Sequence, residues 1–308
     1  MIQIENLTKT YRTGFFMHQK PALKGISLSV PRGMIYGFIG PNGAGKSTTI
    51  KILTGLLGAD SGKVAIAGMP PKRPQTRKIL GYCPEQPYFY DYLSGRELLS
   101  FYGRLVGLEG ATLNARIQWA LQTVHADKDW IDRRLRTYSK GMMQRVGLAQ
   151  SILSKPELLI LDEPMSGLDP MGRRDVREAI LSLNQEGVTI FYSSHLLSDV
   201  ESISERVAMI VDGKIVGYYS LALQDNKECE LNNLCVLPQF RHQGIGEKLL
   251  LHSFHTAKGL GCLKMNIGIV EENQVLKLWY ESFGFKHIKT QKFDFFPFTC
   301  GYMELKLT

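Results

Sequence analysis

Between Gly40 and Ser47 the chain reads Gly-Pro-Asn-Gly-Ala-Gly-Lys-Ser, and no other stretch restricts the fold as much. It fits the pattern G-x-x-x-x-G-K-[ST]. The residues before it, Met34-Ile-Tyr-Gly-Phe-Ile39, are almost entirely apolar, as in a strand buried on both faces. The residues after it, Ser47 to Gly55, have helical spacing. A glycine-rich turn between a buried strand and a helix curls backbone N–H groups around an anion, and the helix N-terminus adds a favourable field. The spacing predicts an α/β core with a phosphate cradle. In it, Lys46 faces the β- and γ-phosphates and Ser47 offers an oxygen to Mg²⁺.

The remaining elements fit such a core. Leu158-Leu-Ile-Leu161 is a second fully apolar run, and it ends on Asp162 and Glu163. Acids directly after four buried residues are poorly explained by solvation alone. Asp162 is placed to hold a Mg²⁺ shell, and Glu163 to polarise an attacking water. Val188–Tyr192 reads as a third buried strand, while Met1–Leu7 and Gly25–Val30 read as strands nearer the surface. Helical spacing dominates from about Asp91 to Val124. Val207–Val211, Asp212-Gly213 and Lys214–Gly217 read as a hairpin, because Asp-Gly is a two-residue turn signal.

At 308 residues, two domains are expected. No run of 18 apolar residues offers a membrane-spanning helix, and the N-terminal stretch has no apolar h-region of a secretory signal. The five cysteines, Cys83, Cys229, Cys235, Cys262 and Cys300, are odd in number and never spaced C-x-x-C. That argues against a disulfide framework or a zinc site and fits a reducing cytoplasm. The formal net charge is +8, and residues 218–308 carry ten Lys and Arg against nine Asp and Glu. The positive excess therefore belongs to residues 1–217, where it suits a polyanion. After Gly217 the texture changes. Phe293, Phe295, Phe296 and Phe298 crowd the end, and a second glycine-rich turn stands at Gly244–Gly246.

With these motifs in this order, residues 1–217 resemble the nucleotide-binding domain of an ABC transporter, a P-loop NTPase fold with a helical subdomain. The resemblance implies that ATP and Mg²⁺ are bound by Gly40, Asn42, Gly43, Gly45, Lys46, Ser47, Thr48 and Asp162, with Tyr11 on the adenine. It makes Glu163 and His195 the catalytic pair, His195 as the switch histidine at the γ-phosphate. Ser166-Gly-Leu-Asp169 resembles the D-loop. Tyr138-Ser139-Lys140-Gly141-Met142 resembles the signature sequence, with Lys140 and Met142 departing from the usual Leu-Ser-Gly-Gly-Gln. The Q-loop residue that meets Mg²⁺ and the permease falls on Glu85 or on Gln86. Ser139 is a good helix cap, and its helix can complete only a second copy's phosphate site. The implied partners are a homodimer or paired ATPase subunit and a separate membrane permease, with no nucleic acid. The implied place is cytoplasmic, peripheral on the inner face of the membrane.

Residues 218–308 resemble the C-terminal part of the GNAT superfamily of CoA-dependent N-acetyltransferases, a partial α/β domain. Arg241, Gln243, Gly244 and Gly246 match its pyrophosphate loop, between the apolar run Leu234–Leu237 and a helical run from Glu247 to Phe254. Asn273 and Tyr280-Glu-Ser-Phe-Gly284-Phe285 match its later helix and turn. The resemblance implies acetyl-CoA as cofactor, bound by Arg241, Gln243, Gly244, Gly246 and Asn273, with Tyr280 as proton donor to the departing CoA thiolate and Glu230 as a general base. The family's opening strand, two helices and second strand have no counterpart here. Residues 212–220 read both as the ATPase's closing hairpin and as an acetyltransferase strand. A fusion joined inside that stretch, natural or designed, is expected, with the second part acting as an acetyltransferase or a CoA sensor.

Overall fold

The computed structural model describes residues 1–13, 18–126, 128–196, 203–293 and 297–307; Phe295 and Phe296 lie outside them. The chain divides into two compact units, Met1–Asp199 with Met209–Ile215, and Val200–Ala208 with Val216–Thr308. With Ile2, Ile4 and, past a register shift, Leu7 all buried, β1 (Ile2–Thr13) pairs antiparallel with β2 (His18–Val30) and with β4 (Ser61–Ile66). The register sets Ile2 opposite Val30 and Ile66. All three are fully buried.

The second sheet of this unit is parallel, in the order β3 (Ile35–Ile39), β7 (Thr189–Ser194), β6 (Leu158–Leu161), β5 (Leu80–Cys83). Every residue of β3, β6 and β7 is buried, as strands covered on both faces require. Among the helices that pack on strands of this unit, α1 (Lys46–Leu53) contacts β2, and α2 (Pro74–Lys78) contacts β5. The helical subdomain holds α3 (Gly95–Leu105), α4 (Gly110–Thr123), α5 (Lys128–Ile131) and α6 (Lys140–Ile152), which also packs on β5. Ser94 and Glu97 cap α3 reciprocally. Gly103 lets α3 and α4 close up, since a Cβ there would meet Leu113 Cδ1 at 2.3 Å. The helix α7 (Pro170–Gln185) packs on β7.

The division passes through β8 (Arg206–Val211) and β9 (Lys214–Gln224). Asp212 (φ 48°) and Gly213 (φ 75°) join them with two left-handed residues, the geometry of a tight hairpin turn. In the second unit β9 pairs antiparallel with β10 (Glu228–Val236), and β10 runs parallel to β11 (Lys264–Val270). Next come β13 (Thr299–Lys306), antiparallel to β11, and the edge strand β12 (Lys286–Lys292). The helix Ile245–Gly259 packs on β10 and buries Leu249, Leu250 and Ala257. The helix Gln274–Ser282 follows β11.

Candidate functional site

The loop from Gly40 to Ser47 leaves β3 and enters α1. Two glycines are demanded by their surroundings. At Gly40 a Cβ would lie 2.2 Å from the Ile210 carbonyl oxygen. Gly45 has φ 113°, and a Cβ there would lie 2.8 Å from both the Ala22 oxygen and Leu23 Cδ2. The hairpin turn supports the loop, as Gly213 N donates to the Ala44 carbonyl at 2.9 Å. No side chain caps α1, so its first-turn N–H groups face the loop's concavity. That arrangement fits a phosphate group.

Lys46 is 5% exposed. Its ammonium donates to the carbonyls of Gly40 (2.7 Å) and Pro41 (3.2 Å) and lies 3.1 Å from Glu163 Oε1. The parallel pairing of β6 with β7 sets Leu161 beside Tyr192, and so carries Asp162 and Glu163 past the strand end toward Ser193 and His195. Ser193 Oγ donates to Asp162 Oδ1 at 2.6 Å and accepts from Glu163 N at 3.0 Å. Glu163 is 7% exposed and left-handed, φ 51°, an uncommon conformation for a residue with a side chain. Its Oε2 accepts from His195 N (3.4 Å) and meets His195 Nδ1. Ser47 Oγ is 3.5 Å from Asp162 Oδ1. A hydroxyl beside a carboxylate suits Mg²⁺, which takes few protein ligands when phosphates supply the rest.

Asn42, Gly43, Gly45, Lys46, Ser47, Thr48, Glu85, Glu163 and His195 line one pocket of about 380 Å³, together with Ala22 and Ser166. Of the two Q-loop candidates, Glu85 lines this pocket and Gln86 is exposed outside its lining. The Tyr11 hydroxyl stands 3.4 Å from Thr48 Oγ1, which puts the ring at the edge of the same site. Ser193 was not singled out from the sequence. The sequence offered only two adjacent serines, Ser193 and Ser194, between an apolar run and His195, with nothing to choose between them.

The second unit places its loop similarly. Gly244 is left-handed (φ 75°) and precedes the helix Ile245–Gly259, which has no side-chain cap. A Cβ added at Gly246 would stand in ordinary van der Waals contact with Val236 and Trp279, at 3.7 to 3.9 Å. Arg241 and Gln243 are exposed, and their side chains donate to the carbonyls of Val236 (3.2 Å) and Gln239 (3.3 Å). Although β10 and β11 run parallel, they pair only from Glu228–Glu230 to Lys264–Asn266, so β10 continues to Val236 without β11 beside it. Tyr280 is 7% exposed, edge-on to Phe285. Burial first, and then the nearby Cys235, push its phenol up to about 12, so it keeps its proton at neutral pH. Glu230 accepts from Gln224 at 3.2 Å. Asn273 caps the helix Gln274–Ser282, accepting from Leu276 N at 3.1 Å.

Residues 23–166 match the family model of the ABC transporter domain, and residues 204–287 match that of the acetyltransferase (GNAT) domain. An ABC transporter ATP-binding protein of Synechocystis is 46% identical over 72% of this chain and 63% of its own length. The lantibiotic transport ATP-binding protein SrtF of Streptococcus pyogenes is 38% identical over 76% of this chain and 96% of its own length. The chain belongs to the ABC transporter ATP-binding proteins. A solved dimeric ATP-binding cassette, bound to ADP and phosphate, shares the fold at a TM-score of 0.66. It is 22% identical, and the match covers 71% of this chain and 98% of that one. The chain spans 63% of the length of the Synechocystis protein.

In this ABC protein Ser139 and the residues that follow it open α6. Ser139 Oγ accepts from Met142 N at 3.2 Å, and Met142 Sδ accepts from Ser139 N at 3.5 Å, a capping box closed by a thioether. Asp169 caps α7 by accepting from Gly172 N at 3.0 Å. Ser139, Gly141 and Asp169 line a second pocket, of about 600 Å³. Gln86 apart, the structure thus brings the sequence-derived residues of the first unit together as two groups. One group surrounds Lys46 and the other surrounds Ser139.

Proposed function

We propose that this chain is the ATP-binding and ATP-hydrolysing subunit of an exporter-like ABC transporter, acting as a dimer with a separate permease at the cytoplasmic face of a membrane. One observation carries the reading. The buried, left-handed Glu163 is held at one carboxylate oxygen by Lys46 and at the other by His195, within a pocket walled by the phosphate loop. A carboxylate fixed at both ends is oriented to accept a proton from a water attacking a terminal phosphate. Lys46 and the loop's N–H groups would carry the phosphate charge. Ser47 and Asp162 would hold Mg²⁺, which supplies charge neutralisation across the phosphates. Of the Q-loop pair, the pocket lining favours Glu85 for the contact with nucleotide. The signature pocket would complete the site of a second copy, and the solved cassette of like fold is itself a dimer.

The test is phosphate release from ATP by the purified full chain, with and without Mg²⁺. We expect Mg²⁺-dependent hydrolysis that rises with more than the first power of protein concentration, as a sandwich of two copies requires. An absence of both ATP binding and hydrolysis overturns the reading. Co-purification with a membrane protein tests the permease partner.

A second reading is favoured by the short pairing of β10 with β11 beside the Gly244 loop. The second unit binds the pyrophosphate of an acyl-CoA at Arg241–Gly246, with Tyr280 as a protonated phenol nearby. Acetyl-CoA titrated into the full chain is expected to bind, and transfer to an amine is expected to be weak or absent. A Cβ at Gly244 meets nothing within 4 Å, but its φ of 75° strains any residue with a side chain, so Gly244→Asn, which carries the same strain without the charge, is the reference for Gly244→Asp. Relative to that reference, Gly244→Asp should lower CoA affinity by about ten-fold or more, the scale of a charge-assisted contact. Unchanged affinity would move the CoA site elsewhere or remove it.

A further inference from the structure

The helix Gln274–Ser282 buries a phenol whose hydrogen-bonding capacity is unmet. Tyr280 is 7% exposed, and among the described residues its hydroxyl makes no hydrogen bond. A buried tyrosine hydroxyl usually finds a partner, so this one points to an acceptor that a ligand brings. Beside it lies the thiol of Cys235, itself only a weak acceptor. Of the five cysteines, Cys83, Cys229 and Cys262 are buried and Cys300 is half-buried, whereas Cys235 is exposed. It stands in register with Tyr218 of β9, whose phenol is pushed up first by hydrogen bonding to this thiol and then by burial. A bulge lies between Asn232 and Cys235, with Asn233 left-handed (φ 54°), and a bulge re-aims the side chains around it. Cys235 also belongs to the part of β10 that has no β11 beside it. At Gly217 a Cβ would lie 2.9 Å from the Cys235 carbonyl oxygen and 3.5 Å from Ile245 Cγ2, so this part of β10 runs beside the first turn of the helix behind the Gly244 loop. An accessible sulfur nucleophile and a buried, protonated phenol therefore meet next to that loop. The chemistry that they match is a thioester, with the thiol to attack its carbonyl carbon and the phenol to protonate the sulfur that leaves.

We propose that Cys235 is an acyl acceptor, S-acylated by an acyl-CoA held at the Gly244 loop. The proposal rests on the acyl-CoA reading above and adds a covalent step to it. The Cys235 sulfur attacks the thioester carbonyl carbon, and a new carbon–sulfur bond forms. The bond from that carbon to the CoA sulfur breaks, and the departing thiolate takes the proton of the Tyr280 phenol. The thiol proton of Cys235 leaves to solvent, and solvent reprotonates Tyr280. The sum is a thiol and a thioester giving a thioester and a thiol, with no oxidant, no reductant and no net proton. The step needs no pocket for a separate acceptor, because the fold itself holds the nucleophile beside the loop.

The experiment incubates the full chain with an excess of acetyl-CoA and reads the label by intact mass and by peptide mapping, while calorimetry follows the binding of CoA separately. The expected result is one acetyl group on Cys235, removed by neutral hydroxylamine as a thioester is and an amide is not. Labelling should saturate with acetyl-CoA, be competed by desulfo-CoA, and outrun labelling by a small acetyl thioester that lacks the nucleotide. Cys235→Ala should lose the label and keep CoA binding. Its side chain is exposed, so the fold should survive, and a thermal melt checks that it does. Tyr280→Phe should bind CoA as before and label about a hundred-fold more slowly, the scale of a lost general acid. A merely structural tyrosine would not separate rate from binding in this way. If the chain binds CoA and Cys235 stays unlabelled, the role of Cys235 is overturned and the CoA reading stands. The same holds if the small thioester labels Cys235 as fast as acetyl-CoA, or if Cys235→Ala takes an equal label at another cysteine. If the chain does not bind CoA at all, both fall.

Discussion

Glu163→Gln is expected to keep ATP binding while turnover drops by about 10²–10⁴, the usual contribution of a positioned base. The amide preserves the shape of the side chain and can still accept from Lys46, but it cannot take a proton from water. Lys46 keeps its two carbonyl partners, Gly40 and Pro41, so the loop should hold its form. In the proposed sandwich, closure of two copies over ATP would rest on the phosphates and on the helix that Ser139 caps, neither of which the substitution touches. The variant should therefore accumulate as an ATP-bound dimer, visible by size exclusion in Mg·ATP and absent in Mg·ADP. Turnover at the parental rate would remove Glu163 from the role of base.

The parts of this site that were legible in the sequence are those where one residue type is forced by backbone or burial. Gly40 and Gly45 are such positions, because a carbonyl oxygen lies where a Cβ would be. The runs that became β3, β6 and β7 are apolar at nearly every position because both faces are covered. Asp212-Gly213 reads as a turn because both residues adopt positive φ. Contacts between distant segments were not legible. Ser193 reaches Asp162 across a parallel ladder, and nothing local marks that hydroxyl as different from Ser194 beside it. Likewise the sequence marks Lys140 only as a departure from the usual signature, and its place over Gly167 is seen in the structure alone.

Edges of sheets were also poorly legible. The paired part of β1 and β2 runs out to Thr13 and His18, well beyond the alternating apolar residues that announced the strands. The outer residues of β2 are exposed, so backbone pairing rather than burial holds them. The strand β12, Lys286–Lys292, is exposed along its whole length. Its lysines suit an open edge, where charge discourages pairing with other chains. A strand held mainly by its ladder leaves little hydrophobic pattern to read. The Asn273 side chain shows a different ambiguity. The resemblance marked it as a cofactor residue, whereas its carboxamide oxygen caps a helix, and the two roles leave the same residue in a sequence.

Lys46→Ala should act before chemistry, on binding. The ammonium faces the site of the β- and γ-phosphates, and a hydrogen bond to a charged group is worth about 1.5–3 kcal/mol. ATP affinity should fall by the corresponding ten- to hundred-fold, while AMP, which lacks those phosphates, should lose little. The substitution also has a cost without nucleotide. Lys46 and Glu163 are 5% and 7% exposed, and removing one partner of a buried pair leaves the other charge poorly compensated. Lys46→Ala should therefore also lower the melting temperature of the chain without nucleotide. The two effects separate in the double variant Lys46→Met, Glu163→Gln. It removes both charges and keeps the volume, so stability should return toward the parental value while ATP affinity stays low. Recovery of ATP affinity in the double variant would show that the single substitution acted through Glu163 alone. Equal losses for ATP and AMP in the single variant would place Lys46 away from the terminal phosphates.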